Sequence, residues 1–310
     1  MLQTQSPRAH ADTTAGKSLF VTAQDGLRLH VRAYPANRAF AGGGVPVVCL
    51  PGLARTAADF EEIAIALSTG SGHPRSVFVL DYRGRGKSDY DRRPGNYNLQ
   101  VELGDLLTVL TALEIPRAAF IGTSRGGILS MLLAAARPTA IAGCVLNDIG
   151  PVIELEGLMR IKSYVGKLPR LTSIHEAADI LRRLFGSQFP KWTDDDWVAF
   201  ARRTFKEAGG RIVPDYDVKL ATTLKGVNPD RPLAPLWNAF DALAGRPVLV
   251  IRGGNSDILS SETVVVMRGR HRDLDVLEVP DEGHAPRLSD AATLGRIGAF
   301  VAKCDEATGA

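Results

Sequence analysis

A serine hydroxyl attacks a carbonyl carbon only when a base takes its proton, and the base holds its orientation only when a carboxylate pins it. This chain carries candidates for each role. Ser124 stands in Gly122-Thr123-Ser124-Arg125-Gly126-Gly127, between the short apolar run Ala118 to Ile121 and the longer one Ile128 to Ala136. That spelling, G-x-S-x-G, suits a strand that turns sharply through a serine into a helix. Gly122 and Gly126 lack the side chains that would crowd such a strained turn. The new helix then aims its first N–H groups and its positive dipole end at whatever the hydroxyl attacks. A glycine-rich turn without chemistry could be spelled the same way, so the accompanying residues decide.

The base has six candidates: His10, His30, His73, His175, His271 and His284. His284, in Asp281-Glu282-Gly283-His284-Ala285-Pro286, follows a buried strand and precedes the last helix, which brings it to the same carboxyl edge of a sheet as Ser124. The others read as tail, strand, loop, insertion and helix-end positions. For the carboxylate the preferred reading is Asp257, after the strand Val248 to Ile251, giving the chain order Ser, Asp, His. Its competitor is Asp148, which ends the strand after the serine's helix. Asp281 is too close to His284 along the chain to orient it and reads as a turn residue. Negative charge building on the carbonyl oxygen needs two fixed donors. The backbone N–H of Arg125 supplies one, and that of Leu53, in the turn Pro51-Gly52-Leu53, is the candidate for the other.

These positions need a sheet whose strand ends share one edge. Ser18 to Thr22 and Leu27 to Tyr34 read as strands around the turn Asp25-Gly26, and Val45 to Leu50, Ser76 to Leu80, Ala118 to Ile121, Ile141 to Leu146, Pro247 to Ile251 and Leu274 to Val279 as buried strands. Helical spacing covers 57–67, 99–113, 261–270 and 289–303. Strands and helices in alternation predict an α/β fold with a mostly parallel, doubly wound sheet. The alternation stops between 151 and 243, where amphipathic segments such as Ala177 to Phe185 and Asp194 to Phe205 predict an inserted helical cap. The expected organisation is a loose tail at 1–17, a core at 18–150 and 244–310, and the insertion at 151–243, with a flexible glycine-rich turn at Ala41 to Gly44. The insertion's large apolar residues, among them Leu155, Leu158, Met159, Leu181, Leu184, Phe185, Phe189, Trp192, Trp197 and Phe200, are expected mostly to form its own core. Some should face the pocket and select a substrate with an apolar portion.

With 310 residues the chain can bury about three quarters of its unfolded surface. Its 37 basic and 34 acidic side chains leave a formal charge of +3, which gives no reason to expect a nucleic-acid partner. Three widely spaced cysteines, Cys49, Cys144 and Cys304, fit neither a metal site nor a disulfide framework. The polar start and the lack of a long apolar run predict a soluble cytoplasmic protein with no membrane partner. Homo-oligomers stay open. The loop Arg83-Gly84-Arg85-Gly86-Lys87-Ser88 has Asp81 where a phosphate-binding loop needs glycine, so its expected role is structural ordering through Asp81, Arg83 and Asp89.

Pro51-Gly52-Leu53, Asp81-Tyr82-Arg83-Gly84-Arg85-Gly86-Lys87-Ser88, the serine turn, Ser256-Asp257 and Gly283-His284 together resemble the α/β-hydrolase fold superfamily, in its capped form that includes carboxylesterases, lactonases and carbon–carbon bond hydrolases. The resemblance covers roughly 18–303. It implies Ser124 as nucleophile, His284 as general base and acid, Asp257 as its partner, Leu53 and Arg125 as the oxyanion hole, and no cofactor. The chain departs from the family pattern in three ways. Pro51 replaces a frequent histidine. Arg125 follows the nucleophile, where its side chain either pairs with a buried carboxylate or reaches an acidic substrate. Ala285 and Thr123 stand where carbon–carbon bond hydrolases usually carry Trp and Asn. The expected function is a cofactor-independent serine hydrolase cleaving a small carboxylic ester or lactone through an acyl-enzyme. The alternatives are hydrolysis of carbon–carbon bonds in vinylogous diketones, and a small-molecule sensor on the same scaffold.

Overall fold

Val47–Leu50 (β3), Ala118–Thr123 (β5), Ile141–Asn147 (β6) and Val248–Gly253 (β9) are continuous apolar runs, and a strand apolar on both sides must be covered on both faces. In the computed structural model, which describes residues 16–36, 44–70, 74–230 and 233–306, they form the centre of one sheet. Residues 1–15 of the expected tail, 41–43 of the glycine-rich turn, His10 and His73 lie outside the described residues. Lys17, expected to close the tail, instead begins the first strand.

With Lys17–Thr22 (β1), Arg28–Tyr34 (β2), Val77–Asp81 (β4), Leu274–Val279 (β10) and the short strands Phe205–Ala208 (β7) and Arg211–Pro214 (β8), the chain has its full set of described strands. Eight make the main sheet in the order β1-β2-β4-β3-β5-β6-β9-β10. β1–β2 and β2–β4 pair antiparallel, and the remaining neighbours pair parallel. Alternate residues separate onto two faces, as the strand period requires. Val48, Leu50, Phe120, Leu146 and Val250 pack with Leu106, Leu110, Leu129 and Leu133 from helices Leu99–Ala112 (α2) and Arg125–Ala136 (α3). Val47, Cys49, Ile121, Val145, Leu249 and Ile251 pack with Ile63, Ala64, Ile297 and Val301 from Glu61–Thr69 (α1) and Ala291–Glu306 (α9). All parallel strands end at one edge, so the loops after β3, β5, β6, β9 and β10 gather there.

Between β6 and β9 the chain leaves the sheet. Leu155–Tyr164 (α4), Ile174–Phe185 (α5) and Asp194–Thr204 (α6) follow, and the last two begin at sequence-encoded caps: Ser173 accepts from Glu176 N, and Thr193 with Asp196 forms a reciprocal capping box. A separate apolar cluster, including Leu181, Phe185, Phe189, Trp197 and Phe205, holds this region together. The insertion is not wholly helical. β7 and β8 form a hairpin around Gly209 and Gly210, both at positive φ (+58° and +69°), the geometry that a two-residue turn of this kind demands. The separate cluster spans 171–205, whereas Ile161, Val165, Tyr216, Leu220 and Leu224 join the main core, so the expected 151–243 unit is partly anchored in the sheet domain. Trp237–Asp241 (α7) and Ser261–Arg270 (α8) complete the described helices. No described helix is long and apolar enough to cross a membrane.

Candidate active site

Ser124 sits between β5 and α3 with φ +51° and ψ −113°, a conformation that L-residues rarely adopt. The backbone holds it there. Ser124 N donates to Asn147 O at 3.0 Å, and Gly127 N and Ile128 N donate to Ser124 O at 2.9 and 3.1 Å. The glycines are steric necessities. A Cβ on Gly126 would lie 1.9 Å from Leu50 O, one on Gly122 would lie 2.5 Å from the Gly126 carbonyl, and one on Gly127 would lie 2.3 Å from Ile149 Cγ2. Gly52, in the turn after β3, comes so close that its Cβ would lie 3.9 Å from Ser124 Cβ. The turn holding Leu53 and the N-terminus of α3 holding Arg125 therefore flank the serine. The first N–H groups of a helix have no intrahelical acceptor, which leaves that of Arg125 available to a ligand.

His284, in the loop after β10, reaches Ser124 from the far side. Its Nε2 lies 2.9 Å from Ser124 Oγ and its Nδ1 lies 2.8 Å from Asp148 Oδ2. A carboxylate can only accept, so Nδ1 carries the proton and Nε2 is left to accept from the serine hydroxyl. The preferred sequence reading of the acid is thereby corrected: Asp148, and not Asp257, holds the histidine. Asp148 directly follows β6, is wholly buried, and takes φ +54°. Its Oδ1 accepts from Gly253 N at 2.8 Å, and its Oδ2 also accepts from Ser256 Oγ at 2.6 Å. Ser256 is fixed in turn by the N–H groups of Ile258 and Leu259. Asp257 lies one residue further along, and Arg160 of α4 takes both its oxygens, Nε at 2.5 Å and Nη2 at 2.8 Å. Burial raises the Asp257 carboxyl, but the hydrogen bond and charge of Arg160 outweigh it and hold it below the ordinary range. Asp257 binds the insertion to the sheet edge.

The residues that support the histidine loop carry no motif in the sequence. Asn147 Nδ2 donates to Thr123 Oγ1 and to Pro286 O, both at 3.1 Å, tying the serine strand to the histidine loop. Asn255 N donates to Glu282 O at 2.9 Å. Asn147 is the last residue of a strand otherwise made of apolar residues and glycine, and a buried amide at such a strand end was the available signal.

The Arg125 side chain takes the first of its two expected roles: its Nε donates to the buried Glu102 at 2.5 Å. The Arg83 to Ser88 loop is ordered as expected. Asp81 accepts from His30 Nδ1 (2.7 Å), Ala57 N (2.6 Å) and Lys87 N (3.2 Å), Arg83 binds Asp105, Asp91 and Asp25, and Asp89 pairs with Arg28.

Over Ser124 and His284 lies a pocket of about 1170 Å³, counting its solvent-open mouth. Its walls come from both sides: Leu53, Arg55 and Phe60 from the sheet domain, and Leu181, Phe185, Phe189, Trp192 and Phe200 from the insertion. Leu155, Leu158 and Met159 pack against the main core instead, and Trp197 is buried in the insertion. Arg55 spans the two sides. Its Nε and Nη2 bind Asp59, its Nη1 lies 2.5 Å from Thr204 Oγ1, and its guanidinium stacks 4.4 Å from the Phe200 ring centre.

An eight-stranded, mostly parallel sheet with a strained serine at a strand-to-helix turn, facing a histidine held by a carboxylate, defines an α/β hydrolase. The model of the alpha/beta hydrolase family matches residues 47–296, and the chain belongs to that family. Among its relatives is the 3-hydroxybutyrate-oligomer hydrolase of Cupriavidus necator, 33% identical over 255 residues, covering 80% of this chain and 85% of that one. The 2-(acetamidomethylene)succinate hydrolase of Mesorhizobium japonicum is 25% identical over 262 residues, covering 84% and 89%. Among solved structures, an α/β hydrolase from Novosphingobium aromaticivorans superposes with a TM-score of 0.86 at 40% identity, covering 93% of this chain and 99% of that one.

Proposed function

We propose that this protein is a cofactor-independent serine hydrolase that cleaves a small carboxylic ester or lactone through an acyl-enzyme, with Ser124 as nucleophile, His284 as base and acid, and Asp148 as the orienting carboxylate. The observation that carries this reading is the unbroken hydrogen-bonded chain Ser124 Oγ, His284 Nε2, His284 Nδ1, Asp148 Oδ2 at the floor of the pocket. His284 takes the hydroxyl proton as Oγ bonds to the ester carbonyl carbon. The carbonyl oxygen becomes anionic between the N–H groups of Leu53 and Arg125. Collapse expels the alcohol, which receives the proton from His284. Water then repeats the sequence on the acyl-enzyme, with His284 as its base. Asp148 orients the imidazole and stabilises the imidazolium as it forms.

The apolar walls favour an apolar acyl or alcohol portion. The name of the Cupriavidus relative makes short oligoesters of hydroxyalkanoic acids the first natural-type substrates to assay. Ala285 and Thr123 in place of Trp and Asn weigh against carbon–carbon cleavage. In the decisive test, Ser124→Ala should lower turnover of p-nitrophenyl butyrate by about 10⁴-fold or more without altering the melting curve. Turnover at the wild-type rate would refute the mechanism, and a parallel screen of lactones and ring-fission dienoates separates the substrate classes.

A further inference from the structure

Arg85, Glu102 and Arg125 form a buried charged network directly behind the serine turn. Glu102, on α2, is fully enclosed. Its Oε1 accepts from Arg85 Nη1 at 2.7 Å and its Oε2 from Arg125 Nε at 2.5 Å. The Arg85 side chain is likewise fully buried, and that of Arg125 is 12% exposed. Arg85 makes one more bond that gives the network its direction: its Nε donates to Leu53 O at 2.8 Å. An unbroken path thus runs from the Leu53 carbonyl through Arg85 and Glu102 to the Arg125 side chain. Its two ends are the two residues proposed above to supply the oxyanion N–H donors, and both Leu53 and Ser124 line the pocket.

Stability alone gives poor reason for this arrangement. Burying two guanidinium groups with one carboxylate is often no better than packing apolar side chains there. A cation at the first position of a helix also opposes the helix dipole. Arg85 Nη2 and Arg125 Nη2 are buried with no hydrogen-bond partner, so the network does not saturate its own donors. It does place one uncompensated positive charge, two cations against one anion, beneath a site where negative charge would develop. Burial pushes the Glu102 carboxyl up, but Arg85 and Arg125 outweigh it and keep it ionised.

We infer that Arg85, Glu102 and Arg125 are positioning residues that set the spacing of the Leu53 and Arg125 N–H groups and bias that site toward an anion. This rests on the serine-hydrolase reading above. Oxyanion donors are worth most when fixed before the reaction begins. Leu53 lies on the loop after β3 and Arg125 on α3, and the network is a side-chain tie between those separate segments.

The test uses the full-length protein with Arg125→Met, Arg125→Lys and Glu102→Gln. It measures kcat and KM for p-nitrophenyl butyrate, and inhibition by butylboronic acid, whose tetrahedral adduct places an anionic oxygen between the two donors, and by butyramide, which does not. Arg125→Met and Glu102→Gln should lower kcat about 10- to 100-fold with KM changed less than about 2-fold. Boronate binding should weaken by a similar factor and butyramide binding should hold, with Arg125→Lys recovering part of both losses. Where Glu102→Gln does not fold, Arg125→Met decides, because it leaves Glu102 paired with Arg85. A lower melting temperature with unchanged kcat and unchanged boronate binding would overturn the positioning role. A wild-type protein that neither turns over esters nor binds the boronate would instead overturn the hydrolase reading itself.

Discussion

Asp148 Oδ2 lies 2.8 Å from His284 Nδ1, although Asp148 leaves the sheet from β6 and a second aspartate, Asp257, follows the neighbouring strand β9. Two carboxylates arrive at one sheet edge within reach of one histidine loop, and their other partners divide the labour. Asp148 is enclosed by the Gly253 N–H and the Ser256 hydroxyl, which leave one direction for the imidazole. Asp257 is occupied by Arg160.

That division predicts opposite outcomes for isosteric replacements. Asp148→Asn leaves the shape but presents the imidazole with an amide, which favours the wrong tautomer. It should lower kcat for p-nitrophenyl butyrate by about 10⁴-fold. Asp257→Asn should change kcat by less than about 10-fold and appear mainly as a lower melting temperature, since it weakens the half-buried pair with Arg160. Steady-state kinetics and thermal melts on both variants check this.

The turn geometry predicts a contrast between two glycines. Gly126→Ala would drive a Cβ to 1.9 Å from Leu50 O, backbone that cannot move aside cheaply. It should destabilise the protein by more than about 3 kcal/mol and abolish activity. Gly104, inside α2, has nothing within 4 Å of its would-be Cβ. Gly104→Ala should stabilise by about 0.5–1 kcal/mol. Urea titrations of the two variants give both numbers.

Substrate length should follow the insertion. Phe185 lines the pocket, is 6% exposed, and meets Tyr164 and Phe200 edge-on. Phe185→Ala should cost about 3–5 kcal/mol of stability. It should also shift kcat/KM toward longer acyl chains, by a few fold between butyrate and octanoate p-nitrophenyl esters, because the space removed from the wall is added to the pocket.

The buried Glu102 predicts a pH dependence of stability. Burial raises its carboxyl, but the charges and hydrogen bonds of Arg85 and Arg125 dominate and lower it below its ordinary value of 4.5. A group with a depressed folded value binds fewer protons folded than unfolded. Its contribution is therefore fully present above the unfolded value and is lost as pH falls through the folded one. The difference in urea midpoint between the wild type and Glu102→Gln should be constant near neutral pH and shrink below about pH 4.5. A difference that grows on acidification would contradict the sign.

The fold was readable because each part of it is a local pattern. Continuous apolar strands, helical periodicity and the turn glycines are set by neighbours in sequence. The placement of Ser124 beside His284 was readable for the same reason, each marked by the strand it follows. Which carboxylate holds the histidine was not. Asp148 and Asp257 both follow apolar strands that end at one edge, and what separates them is long-range: Ser256 turning back toward β6, and Arg160 arriving from α4. Asp148 stands one residue after a strand buried along its whole length, which was the one local sign of an enclosed carboxylate. The β7–β8 hairpin was also missed, because Phe205 to Pro214 holds no continuous apolar run and only the Gly209-Gly210 pair marks the reversal. The Arg85–Glu102–Arg125 network lies beyond any spacing argument, since its members come from three separate elements.

Activation of Ser124 as a nucleophile by His284 is read out most directly by labelling the protein with a fluorophosphonate and locating the adduct by peptide mass spectrometry. One stoichiometric adduct on Ser124 is expected, lost in the His284→Ala variant while that variant keeps its fold. An unlabelled protein, or an adduct on another residue with Ser124 intact, would rule out Ser124 as the nucleophile.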